Sequence, residues 1–354
     1  MNDNIYKEWY EAIDVQNIGK KAKYELKRHV KKILDSNGVV VLNIMHLAQL
    51  VNINREEIYK MLSSTDSYYR QFSIPKRHGG MREISAPYPS LMSIQKWIYR
   101  EILFPKYQFP SSVSGFVKGK SIRDNASPHC GHDIVLQMDI KDFFPSITLN
   151  RVVNVFKILG YHNQMAYSLA RLCCKDGALP QGSPASPILS NIIAGRMDRR
   201  LCALCNKFDI TYTRYADDLT FSGKYIGKSF TRIVTKIISD EGFAINESKT
   251  RHLRKSSRKI LTGVSISSGK STIPRSLKRR LRQESFYIHK YGIENHKKFK
   301  GIKDSRYKMR LNGYLAYWKS IEDCNTVRKL FKQLNSQQSV FQKIIQRITS
   351  IFKR

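Results

Sequence analysis

Acids are scarce in this chain. Its 354 residues include 28 Asp and Glu against 62 Lys and Arg, a formal net charge of +34 at pH 7. A surplus of that size attracts polyanions over a distance. The expected partner is nucleic acid, with an anionic membrane surface as the alternative. Cysteine is scarce as well: six scattered residues cannot make a disulfide scaffold. Cys202 and Cys205 form a C-x-x-C with no second pair, in a stretch that reads as helix, which makes them two thiols on a helix rather than a zinc or redox site. Long apolar runs are missing too. The best, Val39 to Val51, is interrupted by Asn43, His46 and Gln49, so no membrane span is expected. The first residues lack the apolar core of a secretory leader, and the cytoplasm is the expected compartment. Internal repeats and low-complexity linkers are absent.

What is present falls into three regions. Residues 1–68 read as helices. Ala22, Leu26, Val30 and Ile33 recur at helical spacing over Lys20–Leu34, and Asn54 precedes Glu56 and Glu57 as a helix cap would. Residues 69–267 mix types. Two short β runs flank Lys76-Arg77-His78-Gly79-Gly80 as a hairpin, and a helix is expected over Ser90–Ile102. A buried strand is expected from Asp133 to Asp139, followed by helices at Asn150–Leu159, Gln164–Cys174 and Pro187–Asn206. Ile210–Tyr215 and Leu219–Ser222 make a second hairpin with Ala216, Asp217 and Asp218 at its tip, before a further helix at Phe230–Asp240. Residues 268–354 read as helical. From Arg251 onward there are 27 Lys and Arg but five acids, about two thirds of the whole surplus. Tyr287, Tyr291, Phe299, Tyr307, Tyr314, Tyr317 and Trp318 are interleaved with that charge, a composition suited to tracking a phosphate backbone and stacking on bases. Helix core is the competing use for each ring.

The acids that do occur carry the chemistry. Asp217 and Asp218 are adjacent at a hairpin tip, where two carboxylates repel unless a cation lies between them. Few carboxylates, completed by water and phosphate oxygens, suit Mg²⁺. Asp139 closes an apolar strand and supplies a third acid. This is the set required by two-metal phosphoryl transfer, in which one ion activates a hydroxyl and the other steadies the leaving pyrophosphate. Asp142 lies past the strand end and is expected to turn the chain.

Asp139 in Met138-Asp139-Ile140-Lys141-Asp142-Phe143-Phe144, the segment Pro180-Gln181-Gly182-Ser183-Pro184, and Tyr215-Ala216-Asp217-Asp218 together resemble the core motifs of reverse transcriptases. The resemblance covers residues 69–267. It implies an α+β right-hand polymerase fold: a helical N-terminal extension at 1–68, fingers and palm at 69–267, and a helical basic thumb at 268–354. It implies that Asp139, Asp217 and Asp218 are the catalytic acids, and that two Mg²⁺ ions are held there with help from the Ile140 carbonyl. By the same resemblance Lys76, Arg82, Gln181 and Lys249 lie against the incoming nucleotide. Phe144 is the ring that excludes a 2′-hydroxyl and so favours dNTPs, with core packing the competing use for Phe143 and Phe144.

Asn125-Ala126-Ser127-Pro128-His129 resembles the NAxxH motif of retron reverse transcriptases. Leu261-Thr262-Gly263 resembles their Val-Thr-Gly, departing conservatively at its first residue. These positions, Asn125, Ala126, His129, Leu261, Thr262 and Gly263, are the candidates for RNA recognition and priming. The resemblance implies a bacterial enzyme that copies a structured noncoding RNA from the 2′-hydroxyl of an internal guanosine into branched RNA–DNA, acting in anti-phage defence with a separate effector protein. The alternatives are another compact bacterial reverse transcriptase, group II intron-like or defence-associated, and a catalytically silent RNA-binding protein on the same fold. The intact acids speak against the last.

Overall fold

The computed structural model describes residues 2–35, 38–76 and 79–335. Arg77 and His78 of the expected hairpin turn, and the chain from 336 onward, lie outside them. A helix at Asn2–Asp14 opens the chain, and Lys20–Asp35 follows with Val30 and Ile33 buried. Asn43 caps Ile44–Val51 by accepting from the His46 N–H, and Asn54 caps Arg55–Ser63 by accepting from the Glu56 N–H. Both satisfy amide donors that the first helical turn leaves unbonded.

Strands β1 (Tyr69–Pro75) and β2 (Met81–Pro87) pair antiparallel, with Tyr69 opposite Pro87 and Pro75 opposite Met81. The helix expected as one piece to Ile102 instead ends at Trp97 and widens into a π-helical stretch, Ile98–Leu103, which buries Ile98, Ile102 and Leu103. Then come β3 (Ile134–Asp139), helices Leu149–Ile158, Asn163–Cys173 and Ser186–Lys207, β4 (Thr211–Tyr215), β5 (Asp218–Gly223), helix Lys228–Asp240 and β6 (Arg251–Leu253). A small hairpin of β7 (Ile260–Leu261) and β8 (Val264–Ser265) precedes four helices among the described residues, from Arg275–Tyr291 to Asn325–Asn335. The main sheet has the order β4–β5–β3–β6. The neighbours Val135 and Leu136 of β3 point to opposite faces and are both fully buried, which explains the apolar run of this strand. Cys202 and Cys205 lie on the helix Ser186–Lys207, as two thiols of a helix should, and burial pushes Cys205 up to about 12.

The chain forms two compact units. The first comprises Met1–Gly119, Met138–Leu219 and Gly227–Thr250, with Leu91, Ile94, Phe156, Leu169, Leu189 and Val234 fully buried. The second comprises Lys120–Gln137, Thr220–Ile226 and the chain from Arg251. Its core is written in helical periods: Leu281, Ser285 and Ile288 on Arg275–Tyr291, then Tyr307, Leu311, Leu315 and Trp318 on Tyr307–Ile321. Trp318 and Tyr307 are therefore core, despite the cations around them in sequence. Tyr291 and Phe299 remain 52% and 86% exposed, and Tyr287 stacks between Tyr291 and His296 at 6.2 and 6.1 Å. Among the described residues no helix is long and apolar enough to cross a membrane.

Candidate active site

β4 and β5 are joined by Ala216 and Asp217 alone, because Asp218 already belongs to β5. Ala216 has a φ of +58°, a conformation that costs an L-residue about 1–2 kcal/mol. Two features hold it there. The Arg214 Nη1 donates to the Ala216 carbonyl at 3.1 Å. Gly115 packs beneath the turn so closely that a Cβ on it would lie 2.3 Å from the Ala216 nitrogen.

Arg214 is wholly buried, and its fork is filled. Nε and Nη2 donate to the two oxygens of Asp198 at 2.8 and 2.6 Å, and Nη1 donates to Asn191 Oδ1 at 2.9 Å. The Tyr212 hydroxyl donates to the same Asp198 at 2.8 Å, and the Asn191 amide donates to the Gly115 carbonyl at 2.8 Å. Sequence reasoning missed this network. Its one signal was Asp198 itself, an acid sharing a helix face with Ala194 and Leu201, both buried.

Asp139 ends β3 and is 7% exposed. The next residue, Ile140, donates its N–H to the Asp217 carbonyl at 2.9 Å, which ties the strand end to the hairpin tip. The Asp139 carbonyl accepts from the Asn246 N–H and the Ala244 carbonyl from the Lys141 N–H, both at 2.8 Å. This lays residues 244–246 along the strand end and delivers Lys249, whose Nζ is 3.0 Å from each Asp139 carboxylate oxygen. Burial raises the pKa of Asp217, and Asp139 adds to the rise while Lys249 and Arg82 oppose it. Asp218 reaches the surface but is pushed up to about 6 by desolvation and by the charges of Asp217 and Asp139. The hairpin tip thus holds more negative charge than it neutralises. Among the described residues no three His, Cys, Asp or Glu side chains already converge around one point; the cation on Asp139 is Lys249. Asp142 turns the chain at a φ of +47° and is exposed.

Gln181 is brought to the β1–β2 hairpin. Its carbonyl accepts from the Ser85 N–H at 2.8 Å, and a Cβ on Gly182 would lie 2.7 Å from the Ser85 oxygen. Only glycine permits that approach, at a φ of +124°. Lys76 and Arg82 are exposed on the same hairpin. The two phenylalanines after Asp139 part ways. Phe143 is 4% exposed, with its ring 5.6 Å from that of Phe243, while Phe144 is half-buried with its ring 5.9 Å from that of Phe116. Phe144→Ala should therefore increase ribonucleotide incorporation with little loss of stability. Phe143→Ala should destabilise the protein by about 3–5 kcal/mol. Discrimination between dNTPs and rNTPs in primer extension, read beside a melting curve, checks this. A change in discrimination confined to Phe143→Ala would reverse the roles.

The positions proposed for RNA recognition lie in the second unit. Asn125, Ala126, His129 and Leu261 are fully buried. Asn125 Nδ2 is 3.4 Å from Thr262 Oγ1, and His129 Nδ1 is 2.7 Å from Ser222 Oγ. Burial takes the pKa of His129 down to about 3, so its imidazole is neutral at pH 7. Thr262 and Gly263, at φ of +46° and +90°, form the primed two-residue turn that β7 and β8 require. The Gly263 carbonyl accepts from the Tyr317 hydroxyl at 3.1 Å.

Comparison with known proteins gives the family. The family described as reverse transcriptase (RNA-dependent DNA polymerase) matches residues 74–266. The chain is 36% identical to the retron Ec86 reverse transcriptase of Escherichia coli over 256 residues, which is 71% of this chain and 80% of that protein. It is 34% identical to the retron Mx65 reverse transcriptase of Myxococcus xanthus over 274 residues, 72% of this chain but 61% of that longer protein. Among solved structures, the telomerase of Candida albicans is similar at a TM-score of 0.42 and 12% identity, over 79% of this chain and 65% of that one. The matched span holds every acid of the hairpin tip and strand end, and the chain belongs to the reverse transcriptases, RNA-dependent DNA polymerases, and among them to the retron type.

Proposed function

We propose that the chain copies part of a cognate structured noncoding RNA into DNA, starting from the 2′-hydroxyl of an internal guanosine. The product would be branched RNA–DNA (msDNA), made in the bacterial cytoplasm and used in anti-phage defence beside a separate effector protein. The supporting observation is the arrangement of Asp139, Asp217 and Asp218 on bonded strand ends, with Lys249 on Asp139. Two adjacent carboxylates of raised proton affinity, Asp217 and Asp218, with Asp139 at the bonded strand end, make a donor set for a hard divalent cation. Asp139, Asp217, Asp218 and the Ile140 carbonyl would hold two Mg²⁺ ions, with the Lys249 ammonium leaving Asp139 for a phosphate. Bound there, the ions would supply Lewis acidity to the attacking hydroxyl and to the leaving pyrophosphate. The hydroxyl oxygen bonds to the α-phosphorus as the bond to pyrophosphate breaks. Lys76 and Arg82 would grip the triphosphate, Arg by a planar fork and Lys by a point charge, with Gln181 beside the nucleotide and Phe144 under its sugar. Residues 69–267 would act as fingers and palm, residues 268–354 as thumb, and 1–68 as an N-terminal extension.

Asn125, Ala126, His129 and the Leu261–Gly263 turn are proposed to serve cognate selection and priming. With the side chains turned inward, the reading is that Asn125 and His129 set the position of the turn and its surroundings. Asn125→Ala with His129→Ala should then impair synthesis begun on the cognate RNA, while extension of a pre-annealed DNA primer on a generic template survives, because the acids are untouched. Sequencing of the nucleic acid that copurifies should find a branched species with the parent and lose it in the double variant. Equal loss of both activities would reduce these residues to supports of the fold.

A further inference from the structure

Within the first unit, residues 112–116 run beside β4 and turn at their end. Val113 bridges Arg214 in parallel, the Arg214 N–H donates to the Ser112 carbonyl at 2.8 Å, and the Ser114 N–H donates to the Arg214 carbonyl at 2.9 Å. Val113 and Ser114 are buried. The Gly115 carbonyl accepts from the Asn191 amide, and Gly115 itself lies against the Ala216 nitrogen. The residue after this clamp, Phe116, has a φ of +62°. That is an outlier for a bulky side chain, whereas glycine adopts it freely. Such strain persists only where the surroundings over-determine the backbone, and here the bonds to β4 and Asn191 fix the chain up to Gly115.

What the strain secures is the place of a ring. Phe116 is 43% exposed, so burial of its side chain offsets only part of the cost. The ring lies 5.9 Å from that of Phe144, tilted by 38°. Phe143 also approaches Phe144, at 5.7 Å, but the two neighbours differ in kind. Phe143 belongs to the core, held by Phe243 and by the Arg214 guanidinium 5.9 Å from its ring centre. Phe144 is half-buried and meets Phe116 outside that core. A ring that excludes one oxygen by contact must hold still to within about 0.5 Å, which requires neighbours that lock its rotamer. We infer that Phe116 is a positioning residue for sugar discrimination: its ring braces Phe144, and its strained backbone, keyed through Gly115 to the turn that carries Asp217, sets the brace in register with the acids. The inference rests on the reading of Phe144 as the ring under the sugar, and it gives Phe116 no contact with the nucleotide.

The test is single-nucleotide primer extension by the full chain, with kcat/KM measured for a dNTP and for the matching rNTP. The parent is compared with Phe116→Gly, Phe116→Tyr, Phe144→Ala and the double variant Phe116→Gly/Phe144→Ala. Glycine suits the φ of this position, and the ratio of the two efficiencies does not depend on how much of the protein is folded. Phe116→Gly is expected to lower the preference for the dNTP about three- to tenfold, the worth of one aromatic pair, by raising the efficiency with the rNTP. Phe116→Tyr keeps the ring and should keep the preference. On the Phe144→Ala background, Phe116→Gly should change the preference no further, because the brace then has nothing to hold. A fall of both efficiencies together in Phe116→Gly would show a structural role and overturn the inference. So would a shift in Phe144→Ala with none in Phe116→Gly, or effects of the two substitutions that multiply; in both cases the gate itself would stand. An unchanged preference in Phe144→Ala would remove the gate, and the inference with it.

Discussion

Asp217→Asn should abolish DNA synthesis without harming the fold. The substitution keeps the shape of the side chain and removes a charge that the proposed ions need. The rate of primer extension is expected to fall about a thousandfold or more, equivalent to about 4 kcal/mol of lost transition-state stabilisation. The same change relieves a strain. The Asp217 carboxylate is held partly out of water beside Asp139, so its charge is a cost to the metal-free protein. The melting temperature should therefore stay level or rise, as it does where a site is built for chemistry rather than stability. RNA binding should persist, because the substitution leaves the surplus of cations in the last third of the chain untouched. Extension at near the parental rate would refute the metal assignment. A fall in both activity and melting temperature would show Asp217 to be a structural acid.

The second large effect is expected one layer below. Asp198→Ala leaves the Arg214 guanidinium buried without its carboxylate. Breaking a buried pair from one side costs about 3–5 kcal/mol, which for a unit of this size lowers the melting temperature by roughly 10 °C. Replacing both partners, as Asp198→Leu with Arg214→Met, should recover most of that stability, because no uncompensated charge remains. Activity should not recover with it. Arg214 also donates to the Ala216 carbonyl, and without that bond the close packing of Gly115 alone opposes relaxation of the strained residue before Asp217. The double variant thus separates support of the fold from placement of the acid. Full recovery of primer extension would show that the hairpin tip holds its shape unaided.

Much of this molecule is local in origin. The three acids announced themselves because each stands where charge is otherwise costly: Asp139 at the end of an apolar strand, Asp217 and Asp218 side by side in a turn. Periodicity located the helix expected over Lys20–Leu34, since burial of one face repeats every three or four residues. The resemblance picked Phe144 of the Phe143–Phe144 pair as the ring beneath the sugar, but the residues alone left core packing open for both. Adjacent residues differ in burial only once something packs against one of them, and here that is Phe243.

Other features have no local cause. Lys249 lies 110 residues from Asp139 in the chain and meets it only because residues 244–246 bond to the strand end. Arg214 reads as one more cation in a very basic chain until Asp198 closes on it from a helix. Asn125 and His129 look like polar residues offered to RNA, yet packing turns both inward. Composition and spacing determine which residues can do chemistry and which faces must be buried, because those are properties of single side chains and of short-range geometry. Which polar group meets which partner was decided by the tertiary structure, because such pairing is worthwhile only where the fold excludes water and brings distant segments together.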